Sequence, residues 1–251
     1  MHQCGASCIA ARLAACYHNI LLLEANNDIN SLFYNYKCKY KAVVFDMDGT
    51  LIDSERTRLN LWGSIASGMG HPFSIDSMIR TIGTTNEDTI KMMLVEYPDA
   101  PHDNIRKKTS DRYREMREKG EIALRPGARD ALEKVRGFGL QIGLCTSTNV
   151  ATALMALKFA GIQEFFDVMV CGNEVKCGKP NPEPYLLAAQ RLGIDPTDCL
   201  VIEDSPSGAR SALSAGMAVA VVPDLIPVPA DVARNAAVFD NIALAVSTLL
   251  I

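Results

Sequence analysis

The chain has 251 residues, 48% of them hydrophobic and 22% charged, with a formal net charge of −4. This is the balance of a globular protein with one large domain, or a core carrying a smaller insert. Nothing in this balance suggests nucleic acid or an anionic membrane surface as a partner. The one basic stretch, Lys107-Lys108 to Lys119, also holds Asp111, Glu115 and Glu118 and reads as a solvated helix face.

The chain opens with a segment that resists assignment. Cys8 to Leu23 is mostly apolar, but Arg12, His18 and Asn19 interrupt it. It falls short of the about 20 apolar residues a membrane span needs. A signal peptide carries its charge ahead of the apolar run, not inside it. Residues 1–40 are therefore expected to be an extension without catalytic role. Of the eight cysteines, Cys4, Cys8, Cys16 and Cys38 precede the first clear strand, and Cys145, Cys171, Cys177 and Cys199 sit in or beside apolar runs. No CxxC pair occurs, and a metal cluster of Cys4, Cys8, His2 and His18 has no familiar ligand spacing. Free thiols in a reducing, cytoplasmic compartment are expected.

Ala42-Val43-Val44-Phe45 is a short apolar run that passes directly into Asp46-Met47-Asp48-Gly49-Thr50-Leu51. Such a run reads as a strand buried on both faces. A long helical region follows from about Glu55 to Gly120, broken at Gly68-Met69-Gly70, His71-Pro72 and Tyr97-Pro98. After the turn Leu124-Arg125-Pro126-Gly127, helices are predicted over Ala128–Arg136, Val150–Ala160, Glu183–Arg191 and Ser207–Ala215. Strands are predicted over Leu140–Cys145, Asp167–Cys171, Cys199–Ile202 and Ala218–Val222. This alternation predicts an α/β fold, a Rossmann-like parallel sheet with helices on both faces. The helical region has no strand of its own and reads as an inserted α-helical cap. The expected division is an extension over 1–40, a core over 41–54 and 123–251, and a cap over 55–122.

Chemistry concentrates at the strand exits. The strand ending at Ile202 also runs into acids, Glu203-Asp204-Ser205. Carboxylates are costly to bury there unless paired or bound to a cation. Two acid-ended strands thus point to one metal-dependent site at the carboxyl edge of the sheet, where open α/β sheets place ligands. Each segment alone has a blander meaning. Asp-Gly-Thr is commonly a turn, Thr146-Ser147 a helix cap, Gly178-Lys179-Pro180 a loop, and Glu203-Asp204 a cap for the next helix. Their joint occurrence, in order, on predicted strand ends favours a site.

Taken together, Asp46-Met47-Asp48-Gly49-Thr50-Leu51, Thr146-Ser147, Gly178-Lys179-Pro180-Asn181-Pro182 and Glu203-Asp204-Ser205-Pro206-Ser207-Gly208 resemble the haloacid dehalogenase-like superfamily from about Lys41 onward. The insert directly after the first motif is similar to the β-phosphoglucomutase-like subfamily. The resemblance implies that Asp46 is a nucleophile forming an aspartyl-phosphate, and that Asp48 is the acid and base for leaving group and water. It implies Mg²⁺ on Asp46, the Asp48 backbone carbonyl and Asp204, with Glu203 a further ligand. Thr146 and Ser147 would meet phosphate oxygens at a helix start, and Lys179 would balance charge on the transferring group.

Haloacid dehalogenases lack the second acid, so Asp48 favours phosphoryl transfer. The subfamily's mutases carry a cap His where this chain has Arg58, a cap Arg in the segment Gly83-Thr84-Thr85-Asn86-Glu87 where it has Asn86, and a Lys where it has Asn149. These departures favour hydrolysis. Ser54, Glu55, Arg58, Asn86 and Thr148 are the candidate substrate contacts beside Ser147. The expected substrate is a small phosphorylated metabolite, a sugar phosphate first and a nucleoside monophosphate second, with a phosphosugar mutase as the alternative activity. A monomer is expected, with no nucleic-acid or membrane partner.

Overall fold

Ala42–Phe45 forms strand β1, buried along its whole length, in a computed structural model that describes residues 39–82 and 86–250. The expected extension over 1–40 lies almost entirely outside the described residues, as do His2, Cys4, Cys8, His18 and Gly83-Thr84-Thr85. Lys39–Leu250 forms one compact unit. β1 is paired in parallel on both sides, with β2 (Gln141–Cys145) and with β4 (Cys199–Glu203). A strand between two neighbours and under helices has no polar face. Each fully buried Val or Phe contributes about 1.5–3 kcal/mol, which explains the uninterrupted apolar run.

Among the described residues the sheet has six parallel strands in the order β3-β2-β1-β4-β5-β6, where β3 is Val168–Val170, β5 is Ala218–Val221 and β6 is Ala237–Val238. The chain moves outward from β1 in one direction through β3, then returns to the other side through β4. The crevice between β1 and its two neighbours is therefore the topological switch point. The carboxyl ends of all these strands open to the same edge.

Between β1 and β2 lie α1 (Ser54–Gly68), α2 (Ile75–Ile79), α3 (Asn86–Glu96), α4 (His102–Glu118) and α5 (Ala128–Gly137). The breaks fall where Gly70, Pro72 and Pro98 predict them. The first four helices share an apolar cluster of Leu59, Ala66, Phe73, Met78, Met93, Ala100 and Ile105. The chain crosses from sheet to helices and back side by side, with Ile52 bridged to Leu124. The remaining helices are α6 (Val150–Ala160), α7 (Glu183–Leu192), α8 (Pro206–Ser214), α9 (Ala230–Ala233) and α10 (Ile242–Leu249). α7 and α8 pack on a cluster with Val44, Val201, Val219 and Val221. No described helix is long and apolar enough to cross a membrane.

Candidate active site

Asp46 leaves β1 at the switch point, its amide held by the Ile202 carbonyl at 3.0 Å. The chain then turns: the Leu51 and Ile52 amides both bond the Met47 carbonyl at 2.9 Å. Gly49 makes the turn possible at φ +84°, and a Cβ there would lie 2.2 Å from Asp204 Oδ2. The residue must be glycine for conformation and for space alike. The turn brings the first and last motifs into contact, and Thr50 Oγ1 donates to Asp204 Oδ1 at 3.1 Å.

Lys179 ties the remaining motifs together. Its Nζ donates to Asp46 Oδ1 at 2.6 Å, Glu203 Oε1 at 2.7 Å and the Cys145 carbonyl at 3.0 Å. All three ammonium protons thus have acceptors. Burial alone would lower its pKa, but Asp46 and Glu203 outweigh that and raise it well above the usual lysine value. The residue is a fixed positive charge. The Lys179–Pro180 peptide bond is cis.

Glu203 is fully buried and accepts five hydrogen bonds. Besides Lys179, Tyr185 donates to Oε1 at 2.9 Å, and Oε2 takes the Asp204 amide, the Ser205 amide and the Ser205 hydroxyl. Burial would raise its pKa, but the Lys179 ion pair and these donors hold it below the usual carboxylate range. Ser205, not Glu203 or Asp204, caps α8, accepting from the Gly208 amide at 3.0 Å.

One oxygen from each of Asp46, Glu203 and Asp204 lies within 4.8 Å of the others. Glu203 has committed its lone pairs, so Asp46 and Asp204 are the freer donors. Burial and the Glu203 charge push Asp46 up to about 7 despite Lys179, and burial with Glu203 and Asp46 pushes Asp204 well above the carboxylate range. Burying one unpaired ion costs several kcal/mol, and a single ammonium cannot offset three carboxylates. The cluster needs protons or a further cation. An all-oxygen donor set suits a hard ion such as Mg²⁺.

Asp48 faces the same cavity, with Oδ2 accepting from Thr148 Oγ1 at 2.7 Å. Thr148, expected to touch substrate, is thus engaged with the second acid. Thr146 is 3% exposed and lines the cavity with Ser147. Asn149, read as a replaced lysine, caps α6 by accepting from the Thr152 amide at 3.0 Å. From the helices, Glu55 and Arg58 line the cavity, whose volume is about 390 Å³. Arg58 lies 4.0 Å from Glu55 and 5.1 Å over the Tyr113 ring. Asn86 begins α3. The structure therefore gathers Asp46, Asp48, Thr146, Ser147, Lys179, Asp204 and Arg58 around one space, with Glu203 buried and bonded to Lys179 and Thr148 held against Asp48.

Two participants escape sequence reasoning. Tyr185 sits among apolar residues of α7 and reads as core. Asp224, in the loop after β5, lines the cavity yet belongs to no motif.

Comparison with known proteins agrees with this architecture. Residues 40–216 match the family described as haloacid dehalogenase-like hydrolase. A phosphorylated carbohydrates phosphatase of Thermotoga maritima is 35% identical over 179 residues, 70% of this chain and 82% of its own. The fructose-1-phosphate phosphatase YqaB of Escherichia coli is 33% identical, covering 71% of this chain and 94% of its own. A crystal structure of a family hydrolase from Deinococcus radiodurans, with bound phosphate and sodium, superposes with a TM-score of 0.73 at 26% identity, covering 85% of this chain and 99% of that one. With four motifs meeting at one sheet edge and the family match spanning most of its length, this chain belongs to the haloacid dehalogenase-like hydrolases.

Proposed function

We propose that this phosphoric monoester hydrolase cleaves small phosphorylated metabolites, sugar phosphates foremost, through an aspartyl-phosphate at Asp46. The observation that carries the reading is the pairing of Asp46 with a buried, fully bonded Lys179, beside a second acid held by Thr148, in a cavity of about 390 Å³. The two phosphatase relatives support the substrate class.

In this mechanism the Asp46 carboxylate attacks phosphorus while the bond to the leaving oxygen breaks. Asp48 gives its proton to that oxygen as an alcohol departs. Water then attacks phosphorus, Asp48 takes the water's proton, and inorganic phosphate leaves with Asp46 restored. Lys179, and Thr146 with Ser147 at the approach to α6, meet the charge that develops on the phosphoryl oxygens. Asp46, Asp204 and the Asp48 backbone would hold Mg²⁺, which supplies the positive charge that lets a carboxylate approach an anionic phosphoryl group.

Helices α1 to α4 act as a cap in this reading, with residues 55–122 as its span. Their own apolar cluster supports treating them as a separate unit. Glu55 and Arg58 face the leaving group, and Arg58 in place of a mutase histidine supports release of the phosphoryl group to water. The four described cysteines are free thiols, and a cytoplasmic, monomeric enzyme is part of the proposal.

A panel of phosphorylated metabolites assayed for phosphate release, with Mg²⁺ and with EDTA, tests the proposal. It includes nucleoside monophosphates, and β-glucose 1-phosphate with and without its bisphosphate. Mg²⁺-dependent release led by sugar phosphates is expected. Isomerised sugar without net release makes the protein a mutase and overturns the reading.

A further inference from the structure

Asp224 is almost sealed from solvent, with a side chain 2% exposed, although it lies in a loop. Its Oδ1 accepts from Arg56 Nη2 at 2.6 Å and from Arg125 Nη1, while Oδ2 has no partner among the described residues. Arg56 belongs to the first turn of α1, where the chain enters the helices. Arg125 belongs to the return crossing. Those crossings are also joined through their backbones. The Asp53 amide bonds the Ala123 carbonyl at 2.9 Å, and the Arg125 amide bonds the Leu51 carbonyl at 2.8 Å. Asp53 adds a second carboxylate, 3.8 Å from Arg56 Nε.

Two guanidiniums and two carboxylates balance, so the cluster is electrostatically closed and offers substrate no free charge. Its geometry nonetheless reaches the catalytic cavity. Glu55 and Arg58 line that cavity from the same turn of α1 that carries Arg56. Asp224, Leu225 and Ile226 line the same cavity, and Leu225 also packs on the apolar cluster of the helices. The loop after β5 thus meets the helices twice, once by charge and once by packing.

We infer that Asp224 is a positioning residue: it fixes both crossings against the loop after β5 and sets where α1 holds Glu55 and Arg58 over the catalytic carboxylates. The work falls on one oxygen with two charged partners from elements far apart in sequence. Asp224→Asn keeps an acceptor of the same shape but removes the charge holding both guanidiniums. Arg125, 12% exposed, then loses its counter-ion in a nearly dry setting.

The test uses the full chain with Mg²⁺ and compares Asp224→Asn with the unsubstituted protein. For p-nitrophenyl phosphate, kcat/KM should fall about tenfold or more, because small misplacement of groups around a reacting centre is costly. Inhibition by inorganic phosphate, which needs only the sheet-edge residues, should be unchanged. Amide hydrogen exchange at Asp53 and Arg125 should quicken while exchange in β4 stays slow. Faster exchange with normal kcat/KM would make Asp224 structural only and overturn the inference. So would an equal loss of phosphate inhibition. Arg56→Gln, at the exposed leg of the cluster, should show the same pattern more weakly, and normal kinetics there count equally against the inference if Asp224→Asn does not fold. The inference rests on the phosphatase reading. No turnover by the unsubstituted protein counts against that reading, whereas normal turnover by the variant counts against Asp224.

Discussion

At the residue scale the carboxylates make the sharpest predictions. Asp46 is pushed up to about 7 from an ordinary 3.8, so between those values the metal-free fold holds a proton that the unfolded chain has lost. Its contribution to stability is complete below about pH 4 and lost as pH rises through about 7, and Asp204 pulls in the same direction. A cation on these oxygens competes with that proton. The increase in Tm caused by Mg²⁺ should therefore be larger at pH 8 than at pH 5, as thermal unfolding with and without EDTA would read. Equal increments at both values would remove the carboxylates from the metal site. Thr148 makes a second prediction. If its hydroxyl orients Asp48, Thr148→Val should slow alkyl phosphates by about tenfold and aryl phosphates much less, since a good leaving group needs little proton donation. A uniform loss across both esters would argue that Thr148 contacts substrate instead. Asp46, Asp48 and Asp204 were legible because each follows an apolar run whose end is a strand exit, and Lys179 through the motif Gly178-Lys179-Pro180-Asn181-Pro182. The Thr148–Asp48 bond was not, since spacing along a chain does not say which way a hydroxyl points.

At the scale of elements, the site depends on how tightly α8 starts against the end of β4. A Cβ on Gly208 would fall 1.6 Å from Glu203 Oε1. Glu203 cannot yield, because five donors hold it and Lys179 hangs from it. Gly208→Ala should thus displace Lys179 from Asp46, lowering kcat by at least about tenfold and Tm by several degrees. Retained activity with a lowered Tm would show that Lys179 keeps its place without this contact. Most helix and strand spans agree with expectation to within a residue or two, because glycine and proline punctuate them. The elements at the end of the chain are not legible in its sequence. β6 is only two residues long, and α10, with the sequence Ile-Ala-Leu-Ala-Val-Ser-Thr-Leu, has no polar face to set a period. α9 spans four residues between turns.

At the scale of the whole molecule, the architecture divides the labour. The parallel sheet places Asp46, Asp48, Lys179 and Asp204 at one edge, and α1 adds Glu55 and Arg58 to the same cavity. Family membership and fold were legible in the sequence, since four motifs in order mark the switch point of a sheet. Of the contacts from the helices to that edge, Glu55 and Arg58 were legible, and the Asp224 cluster was not. The Asp224 cluster joins residues 168 and 99 positions apart, a relation that only the folded chain displays. The central claim is that the phosphoryl group passes through Asp46. Protein carrying Asp48→Asn, mixed with Mg²⁺ and an aryl phosphate and quenched in acid, tests it most directly, because that variant should form the acyl phosphate yet hydrolyse it slowly. Peptide mass spectrometry should find one phosphoryl group on Asp46, and none when Asp46→Asn is added. Turnover that persists in Asp46→Asn, or that proceeds with no phosphate ever found on Asp46, would contradict the account.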